Sequence, residues 1–356
     1  MTVERSRRDP GRPRERGRQR LLDPFTVERP APANLAPGDD ALFAHEYRRS
    51  FGPTELHVLH DVQLTSDGAF IRGLRVVPEV EFMPGVVKLG PRYVLGSLRR
   101  RRRLLVEPGG RYIAAFNCWS GNNYFHWMCD VLPRLYLIRD LVAGSTLVLP
   151  ASHDVPFVAK TLAPLAPGRV VFFDPAETVT LREVTVPGHV AVTGNYHEPT
   201  MRGLAALLCA ALGVEAGAGG GRRIYVTRQK AAHRHVLNET DVVDLVRAYG
   251  FEIVANEDLS FEEQVELHAG TEALIGIIGA NLTNIMFMPP GSSVLQLSRR
   301  DDAHNHCYYS LAAAAGVRFL YQHCDFEDTR PGDYWNLTVD LGLLEENLKQ
   351  MLPVAA

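Results

Sequence analysis

Short apolar runs alternate with helix-like segments along most of the chain. Strands are predicted at 112–116, 146–149, 170–173, 179–186, 223–227, 251–255, 273–278, 293–297 and 317–321. Helices are predicted at 122–141, 155–165, 200–212, 238–249, 260–268, 282–288, 308–315 and 341–351. Short continuous apolar strands are typical of parallel sheets that are covered on both faces. The pattern therefore predicts an α/β fold that follows a β-rich region at 54–106.

Composition divides the chain into segments. Nine arginines fall within the first 30 residues among Pro, Gly, Asp and Glu, so residues 1–45 are predicted to form a disordered basic tail. The glycine-rich stretch 213–221 is predicted to link an N-terminal α/β domain, 46–212, to a C-terminal α/β domain, 222–338. Residues 339–356 are predicted to form a helix that packs back on the first domain. Because ligands of such sheets bind beyond the carboxyl ends of the strands, a cleft between the domains is the expected site.

Charge and cysteine content narrow the function classes. The formal net charge of −3 argues against nucleic-acid binding by the protein as a whole. Five cysteines without a C-x-x-C pair argue against a disulfide framework and a zinc ribbon. No apolar run is long enough to span a bilayer, and none follows the basic start as a secretory signal requires. A cytoplasmic protein is expected, and the basic N-terminus leaves association with the inner face of a membrane open. The basic run 99–103 is predicted to be a solvated loop or a strand end, with attraction of an anionic ligand as the alternative.

Two candidate anion sites follow predicted strands of the C-terminal domain. The small residues of 279–284 open a helix after an apolar strand, where backbone amides can approach a diphosphate. Arg228 and Arg234 follow another strand, and arginine offers a bidentate fork to phosphate. The alternatives are a tight turn that needs glycine and a solvated basic loop.

A third candidate site lies on the predicted helix 122–141. His126 and Asp130 are spaced i, i+4 and are therefore predicted to share one face. A carboxylate beside a histidine orients the ring and makes it more basic, as a general base requires, while an ordinary ion pair is the alternative. No metal site is predicted, because the chain has no Asp-x-Asp and its neighbouring His and Cys residues lack ligand spacing.

Several segments together resemble glycosyltransferase family 61, whose bacterial members include proteins of the capsular polysaccharide biosynthesis type. The segments are Asn123 to Trp127, Asp130 to Arg134, Ile224 to Arg228 with Arg234, Asn238 and Glu239, Phe261 to Gln264, Gly279 to Asn284, and Phe287 to Gly291. Each is weak alone, but their order and spacing over residues 110–300 are specific.

The resemblance implies a GT-B-like fold, in which two Rossmann-like domains face a cleft. It also implies an inverting, metal-independent hexosyl- or pentosyltransferase, with a UDP-linked nucleotide sugar as co-substrate, no other cofactor, and a surface glycan or secondary metabolite as acceptor. His126 and Asp130 would be catalytic. Residues expected to bind the donor are Arg228, Arg234, Asn238, Glu239, Gln264, Gly279, Ala280, Asn281, Leu282, Thr283 and Asn284. Residues expected on the acceptor side are Asn123, Trp127 and Arg134.

Two alternatives stay open at this stage. A nucleotide-sugar epimerase of the same architecture would convert the donor without an acceptor. A degenerate protein would bind a nucleotide sugar or a glycan without turnover, and Ile278 supports this alternative because the family often has His at that position.

Overall fold

The computed structural model describes residues 18–82, 89–105, 110–215, 221–299, 306–330 and 334–352. Its strands are β1 Arg18–Leu22, β2 Phe25–Glu28, β3 Arg48–Phe51, β4 Thr54–Thr65, β5 Phe70–Arg72, β6 Arg75–Val76, β7 Arg101–Leu105, β8 Tyr112–Ile113, β9 Thr146–Pro150, β10 Arg169–Phe173, β11 Glu177–Pro187, β12 Arg222–Val226, β13 Glu252–Val254, β14 Thr271–Ile277, β15 Ser293–Arg299, β16 Arg318–Arg330 and β17 Tyr334–Thr338.

The α-helices are α1 Asp40–Tyr47, α2 Pro91–Leu98, α3 Tyr124–His126, α4 Leu132–Leu137, α5 Arg139–Val142, α6 Pro156–Leu162, α7 Glu198–Ala211, α8 Glu239–Ala248, α9 Phe261–Ala269, α10 Cys307–Ala315 and α11 Leu341–Met351. A π-helical turn, Trp127–Val131, joins α3 to α4. Short 3-10 helices are Pro78–Val80, Ala151–His153, Ala163–Leu165, Asn256–Asp258 and Ala280–Phe287.

Six of the described strands form what we call the second sheet, in the order β13-β12-β14-β15-β16-β17. Neighbouring strands are parallel except β16 and β17. Both faces are covered, so central residues such as Leu274, Val294 and Leu295 are fully buried. The chain leaves β12 for β13 on one side and then returns to β14 on the other side. The boundary between β12 and β14 is therefore a topological switch point.

Nine of the described strands form the first sheet. Its path is β10-β9-β8-β11-β4-β5-β6, with β1 paired to β4 and β7 paired to β11. Strands β8, β9 and β10 are parallel, whereas β4 runs antiparallel to β1, β5 and β11. This half is a mixed sheet, and the predicted α/β class is confirmed for the chain.

The prediction of a disordered tail is wrong for residues 18–45, which fold against the rest of the protein. Strand β1 pairs with β4, and Phe43 is buried with its ring 5.4 Å from that of Tyr309. Arg29 and Glu46 form a buried ion pair (3.0 Å). Composition underestimates order here, because a few apolar and ionic contacts with residues that are distant in sequence hold the segment.

Helix α11 occupies a different place from the one predicted. Helix α11 packs against β15, β16 and α8, so it covers the second sheet rather than the first domain as predicted. The reason is that its apolar face, which includes Leu344 and Leu348, is buried there. Residues 1–17 of the predicted tail and 216–220 of the predicted linker lie outside the described residues.

Helix α7 and the start of α3 connect the two halves. Helix α7 contacts α4 in the first half, and α10 and the 3-10 helix Ala280–Phe287 in the second. The hydroxyl of Tyr124 donates to Oδ1 of Asn284 (2.7 Å), so α3 begins directly beside this 3-10 helix. Within the described ranges, no helix is long and apolar enough to cross a membrane.

Candidate active site

The two predicted anion motifs meet at the carboxyl ends of β12 and β14. Arg228 follows β12, Gly279 follows β14, and the two strands are hydrogen-bonded neighbours. Since this is the switch point of the second sheet, a crevice is expected between the two strand ends, where open α/β sheets usually bind their ligands.

Arg228 lies directly against the backbone of Gly279. A Cβ atom at position 279 would be 2.7 Å from Nη1 of Arg228, so a larger residue would displace the guanidinium. The backbone of Gly279 is extended, at φ 163° and ψ 174°. Glycine is therefore needed here for the close approach and not for its dihedral angles.

Arg228 is a half-buried cation whose hydrogen-bond partners are neutral. Its Nη2 donates to the carbonyl oxygen of His233 (3.2 Å), and Nη1 lies 3.4 Å from the side-chain amide of Asn281. Nε is buried and has no partner among the described residues. Burial lowers the pKa of this guanidinium, Arg234 lowers it further, and Glu257 raises it. A bound anion would give Nε a partner and offset the repulsion between the two guanidinium groups.

Arg234 reaches the same crevice from a left-handed backbone conformation, with φ +64°. Its Nη1 donates to the carbonyl oxygen of Ile278 (3.1 Å), and its guanidinium lies 5.1 Å from the ring centroid of Trp335. Such a conformation costs on the order of 1 kcal/mol and persists where surrounding contacts hold it. The side chain of Ile278 is buried, so this position contributes its backbone carbonyl to the crevice.

A cavity of about 540 Å³ opens beside Arg228 and lies between the two halves. This charged cavity is lined by Tyr124, Pro156, Phe157, Lys160, Arg228, Asn256, Glu257, Leu259, Ser260, Phe261, Glu262, Gln264, Ala280 and Asn281. Lys160 of α6 and Glu262 of α9 form an ion pair that joins the two sides. Cavities of this size, with apolar walls and a few polar groups, accommodate small organic ligands.

A chain of hydrogen bonds holds one wall of the charged cavity. Nε2 of Gln264 donates to the carbonyl oxygens of Asn256 (2.9 Å) and Leu259 (3.2 Å), and its Oε1 accepts from Nδ2 of Asn284 (2.9 Å). Asn284 in turn accepts from the hydroxyl of Tyr124. The chain therefore fixes the second half of the protein to the start of α3.

His126 and Asp130 of the helical segment 124–137 form a second hydrogen-bonded chain with Thr193 of the turn 189–193, and the predicted pairing of His126 with Asp130 is confirmed. Nδ1 of His126 lies 2.7 Å from Oδ2 of Asp130, and the hydroxyl of Thr193 donates to the carboxylate (2.9 Å to either oxygen). Asp130 is buried, whereas the side chain of His126 is 16% exposed. Because Asp130 engages Nδ1, Nε2 is the nitrogen left to accept a proton.

The local helix geometry positions this histidine. Oδ1 of Asn123 accepts from the backbone N–H of His126 (3.3 Å) and so caps α3. The π turn directly precedes Pro133, whose missing N–H and bulky ring disturb a regular helix. Such turns occur frequently at functional sites. His126 does not line the charged cavity, but Tyr124, two residues earlier, does.

Comparison with known proteins agrees with this geometry. Residues 124–295 match the family model described as Glycosyltransferase 61. The matched region spans just under half of the chain. It contains His126, Asp130, Arg228 and Gly279, while Trp335 lies beyond it.

Two animal proteins illustrate how far the glycosyltransferase 61 similarity extends. Over 100 residues the chain is 33% identical to the EGF domain-specific O-linked N-acetylglucosamine transferase of Drosophila melanogaster, which is 27% of this chain and 19% of the fly protein. Over 107 residues it is 28% identical to the protein of the same name from Bos taurus, 29% of this chain and 20% of that protein. The chain spans about a fifth of the length of these curated relatives. A bacterial, capsule-type role stays a prediction.

Two of the residues predicted on the acceptor side are buried, so direct contact with an acceptor is not supported for them. Trp127 is fully buried, and its Nε1 donates to Oγ1 of Thr161 (2.8 Å). Arg134 is buried, its Nε donates to the carbonyl oxygen of Pro187 (2.9 Å), and burial lowers its pKa to about 9. Both side chains hold the long helix in the fold, and Asn123 caps it.

Asn238 and Glu239, predicted to bind the donor, have structural partners. Asn238 does not cap α8, because both polar atoms of its side chain bond to the backbone of Val339 (2.9 Å each). Glu239 is buried and accepts from the hydroxyls of Tyr225 (3.0 Å) and Thr227 (2.6 Å). We therefore correct the role of Asn238 to joining two segments of the second half. Glu239 fixes the end of β12 just before Arg228.

The predicted donor turn, residues 279–284, divides into two parts. Gly279 contacts Arg228, and Ala280 and Asn281 line the charged cavity. The side chains of Leu282 and Thr283 are fully buried, so direct contact with a donor is not supported for them.

Sequence reasoning missed Thr193, Tyr124 and Trp335 as parts of the site. Thr193 lies 63 residues beyond its partner Asp130, and no local pattern indicates that contact. Tyr124 belonged to a recognised segment, yet its hydrogen bond to the second half follows only from the fold. Within the described ranges, no group of three or more His, Cys, Asp or Glu side chains could hold a metal ion.

Proposed function

We propose that this protein transfers a sugar from a nucleoside diphosphate donor to a hydroxyl group, with inversion and without a metal ion. The single observation that carries the proposal is the crevice at the switch point of the second sheet, where the buried Nε of Arg228 has no partner among the residues that the structure describes. A guanidinium in that position is suited to a phosphate oxygen.

The donor side of the reaction rests on positive charge at the strand ends. As the sugar leaves, negative charge develops on the diphosphate, and fixed cations stabilise it. Arg234 lies close enough to Arg228 to lower the pKa of that guanidinium, so the two cations are suited to this role together. The charged cavity would hold the nucleoside, with Gln264, Asn256 and Asn281 as its neutral polar groups.

The acceptor side rests on His126. The acceptor oxygen forms its bond to the anomeric carbon while its proton passes to Nε2 of His126. At the same time the bond from the anomeric carbon to the diphosphate oxygen breaks, and the nucleoside diphosphate leaves with that electron pair. Asp130 stabilises the imidazolium that forms and is itself held by Thr193. Attack opposite the leaving group inverts the anomeric centre.

A GT-B-like arrangement belongs to the same proposal. The order β13-β12-β14-β15-β16 of the second sheet is that of a doubly wound nucleotide-binding unit. The first sheet is parallel only in part, so the support is stronger for the second half. The charged cavity between the halves is consistent with a donor held in a cleft.

The relatives suggest which donor to test first. Their names describe transfer of N-acetylglucosamine, so UDP-N-acetylglucosamine is the first donor that we propose. A surface glycan or a secondary metabolite is proposed as acceptor. A cytoplasmic location, at the inner face of a membrane, is also proposed and is supported by five cysteines that form no disulfide.

Incubation with UDP-N-acetylglucosamine and a panel of methyl glycosides, in excess chelator, tests the proposal. We expect UDP release that requires an acceptor, and a β-linked product from the α-linked donor by NMR. Donor conversion without an acceptor would indicate the epimerase instead. UDP binding without release across the panel would indicate a non-catalytic protein, and activity only with added metal would contradict the metal-free step.

A further inference from the structure

A second cavity, of about 410 Å³, lies next to the His126–Asp130–Thr193 chain. We call it the aromatic cavity. It is lined by the turn 189–193, the segment 51–53, Glu81 and Phe82. None of these residues lines the charged cavity, so the protein offers two separate spaces for two substrates.

Two routes of contacts connect the aromatic cavity to the proposed base. Thr193 lines the cavity and donates its hydroxyl to Asp130. Phe82, also in the wall, packs edge-to-face on Trp119 with ring centroids 5.1 Å apart. Trp119 in turn lies 5.2 Å from the ring of His126. A ligand that extends from this cavity over Trp119 therefore reaches His126.

The aromatic cavity has little charge. Glu81 is its only described lining residue with a formal charge at neutral pH. Burial lowers the pKa of His189, and Arg134 lowers it further, so this lining histidine is neutral. The other described lining residues are apolar or uncharged. A cavity of this kind favours a neutral ligand over the anionic donor.

Trp119, which packs on Phe82 of the aromatic cavity, is an exposed aromatic residue. Its side chain is 38% exposed, whereas the other two tryptophans of the chain, Trp127 and Trp335, are buried. The ring of Trp119 lies close to both the cavity wall and the proposed base, and its exposed part offers a surface for stacking. Pyranose rings carry one face of C–H groups that can pack on such a ring.

We propose that the aromatic cavity is the acceptor subsite and takes a neutral pyranoside that stacks on Trp119. The inference rests on the proposed function and adds the acceptor class to it. Stacking on Trp119 brings the hydroxyls of the sugar beside His126, while Glu81 and His189 offer hydrogen bonds to the remainder of the ligand. Trp119 is thus a residue that selects the acceptor, and it does not touch the donor.

Tryptophan fluorescence of the full chain tests this inference, because Trp119 is the exposed one of three. The probes are the methyl β-glycosides of glucose, galactose, xylose and N-acetylglucosamine, with UDP titrated separately. We expect at least one glycoside to shift the emission saturably and to protect it from iodide. The Trp119→Phe variant should lose the shift and keep most of the affinity for that glycoside, as measured by calorimetry.

Further variants separate stacking from a loss of folding. Trp119→Ala should weaken glycoside binding about three- to tenfold, with UDP affinity and melting temperature nearly unchanged. Leu141→Ala is the matched control, since Leu141 is equally exposed (38%) and lies outside the aromatic cavity. Its glycoside affinity should equal that of the wild type.

The outcomes distinguish this inference from the proposed function. Binding of UDP with no effect of any glycoside on Trp119 would overturn the acceptor subsite and leave the donor proposal intact. Glycoside binding that is insensitive to Trp119→Ala, or tighter binding of methyl β-glucuronide than of the neutral glycosides, would also overturn it. Trp119-dependent glycoside binding without UDP binding would support the subsite while contradicting the proposed donor.

Discussion

The charged cavity and the aromatic cavity differ in origin and in chemistry. The charged cavity combines strand ends of the second sheet with α6 and contains Arg228 and Lys160. The aromatic cavity consists of turns of the first half and has no described Lys or Arg in its wall. The two halves therefore divide the proposed reaction between them. An anionic donor fits the second half, a neutral acceptor fits the first, and the long helix carries the base.

The largest expected effect is a loss of transfer rate, and it comes from changing His126, which lines neither cavity. His126→Ala should lower the transfer rate by about 10²–10⁴, because it removes the group that takes the acceptor proton. Asp130→Asn should cost less, since the ring would still be present. The rate is measured by UDP release, together with UDP affinity and melting temperature, which should both stay near the wild-type values.

His60→Ala is the control for this variant, because His60 is an exposed histidine on β4. It should transfer sugar at the wild-type rate. A stable His126→Ala protein that binds UDP and turns over near-normally would remove His126 from the proposed mechanism.

The next prediction compares how acid changes the stability of the two halves. Among the buried neutral histidines, His153 lies in the first half and His268 in the second, and burial lowers the pKa of each to about 4. Below pH about 6.5 these two histidines bind protons in the unfolded chain, whereas in the folded protein they stay neutral until the pH approaches 4. Stability is therefore complete above that pH and falls as the pH approaches 4, by about 3 kcal/mol for each histidine.

Urea denaturation at pH 7.5 and pH 4.5 measures this loss. His153→Gln and His268→Gln should each make the free energy of unfolding less dependent on pH than in the wild type. An unchanged pH dependence in both variants would show that other groups control acid stability.

A smaller effect is expected from the close approach of Arg228 to the backbone of Gly279, beside the charged cavity. Gly279→Ala should weaken UDP binding about tenfold, because the added Cβ displaces the guanidinium of Arg228. The melting temperature should change little, since a flexible side chain can move away. Gly96→Ala is the control, because a Cβ there meets no atom within 4 Å. Equal UDP affinity of wild type and Gly279→Ala would show that this contact is not needed.

The smallest effect concerns the contact that joins the halves. Tyr124→Phe removes the hydroxyl that donates to Asn284 and should lower the free energy of unfolding by about 1 kcal/mol. Chemical denaturation measures the change. Unaltered stability would show that water replaces the hydroxyl without cost.

Local patterns predicted much of the second half from sequence. Helix α11 was predicted at 341–351 and is observed at Leu341–Met351. Helix α9 begins with a capping box, in which Ser260 accepts from the backbone of Glu263 (3.2 Å) and Glu263 accepts from that of Ser260 (2.7 Å). Apolar periodicity and caps involve near neighbours in sequence, so they can be recognised without the fold.

The first half was harder to predict because its decisive contacts are distant in sequence. Residues 18–45 lack an apolar pattern of their own but are held by partners such as Tyr309. The aromatic cavity joins the segment 51–53 to the turn 189–193, and neither stretch carries a motif. The charged residues of the donor side follow strands directly, whereas uncharged rings such as Trp119 have no such signature.

Calorimetric titration with UDP in excess chelator tests the central claim that Arg228 holds the diphosphate. The wild type should bind, Arg228→Ala should bind about 10- to 150-fold more weakly, and Arg228→Lys should recover part of the affinity. Arg223→Ala is the control, because Arg223 lies near the opposite end of β12 and pairs with Glu272 (2.7 Å); its affinity should be unchanged. Equal binding by wild type and Arg228→Ala, or wild-type binding that returns only with added metal, would contradict the account.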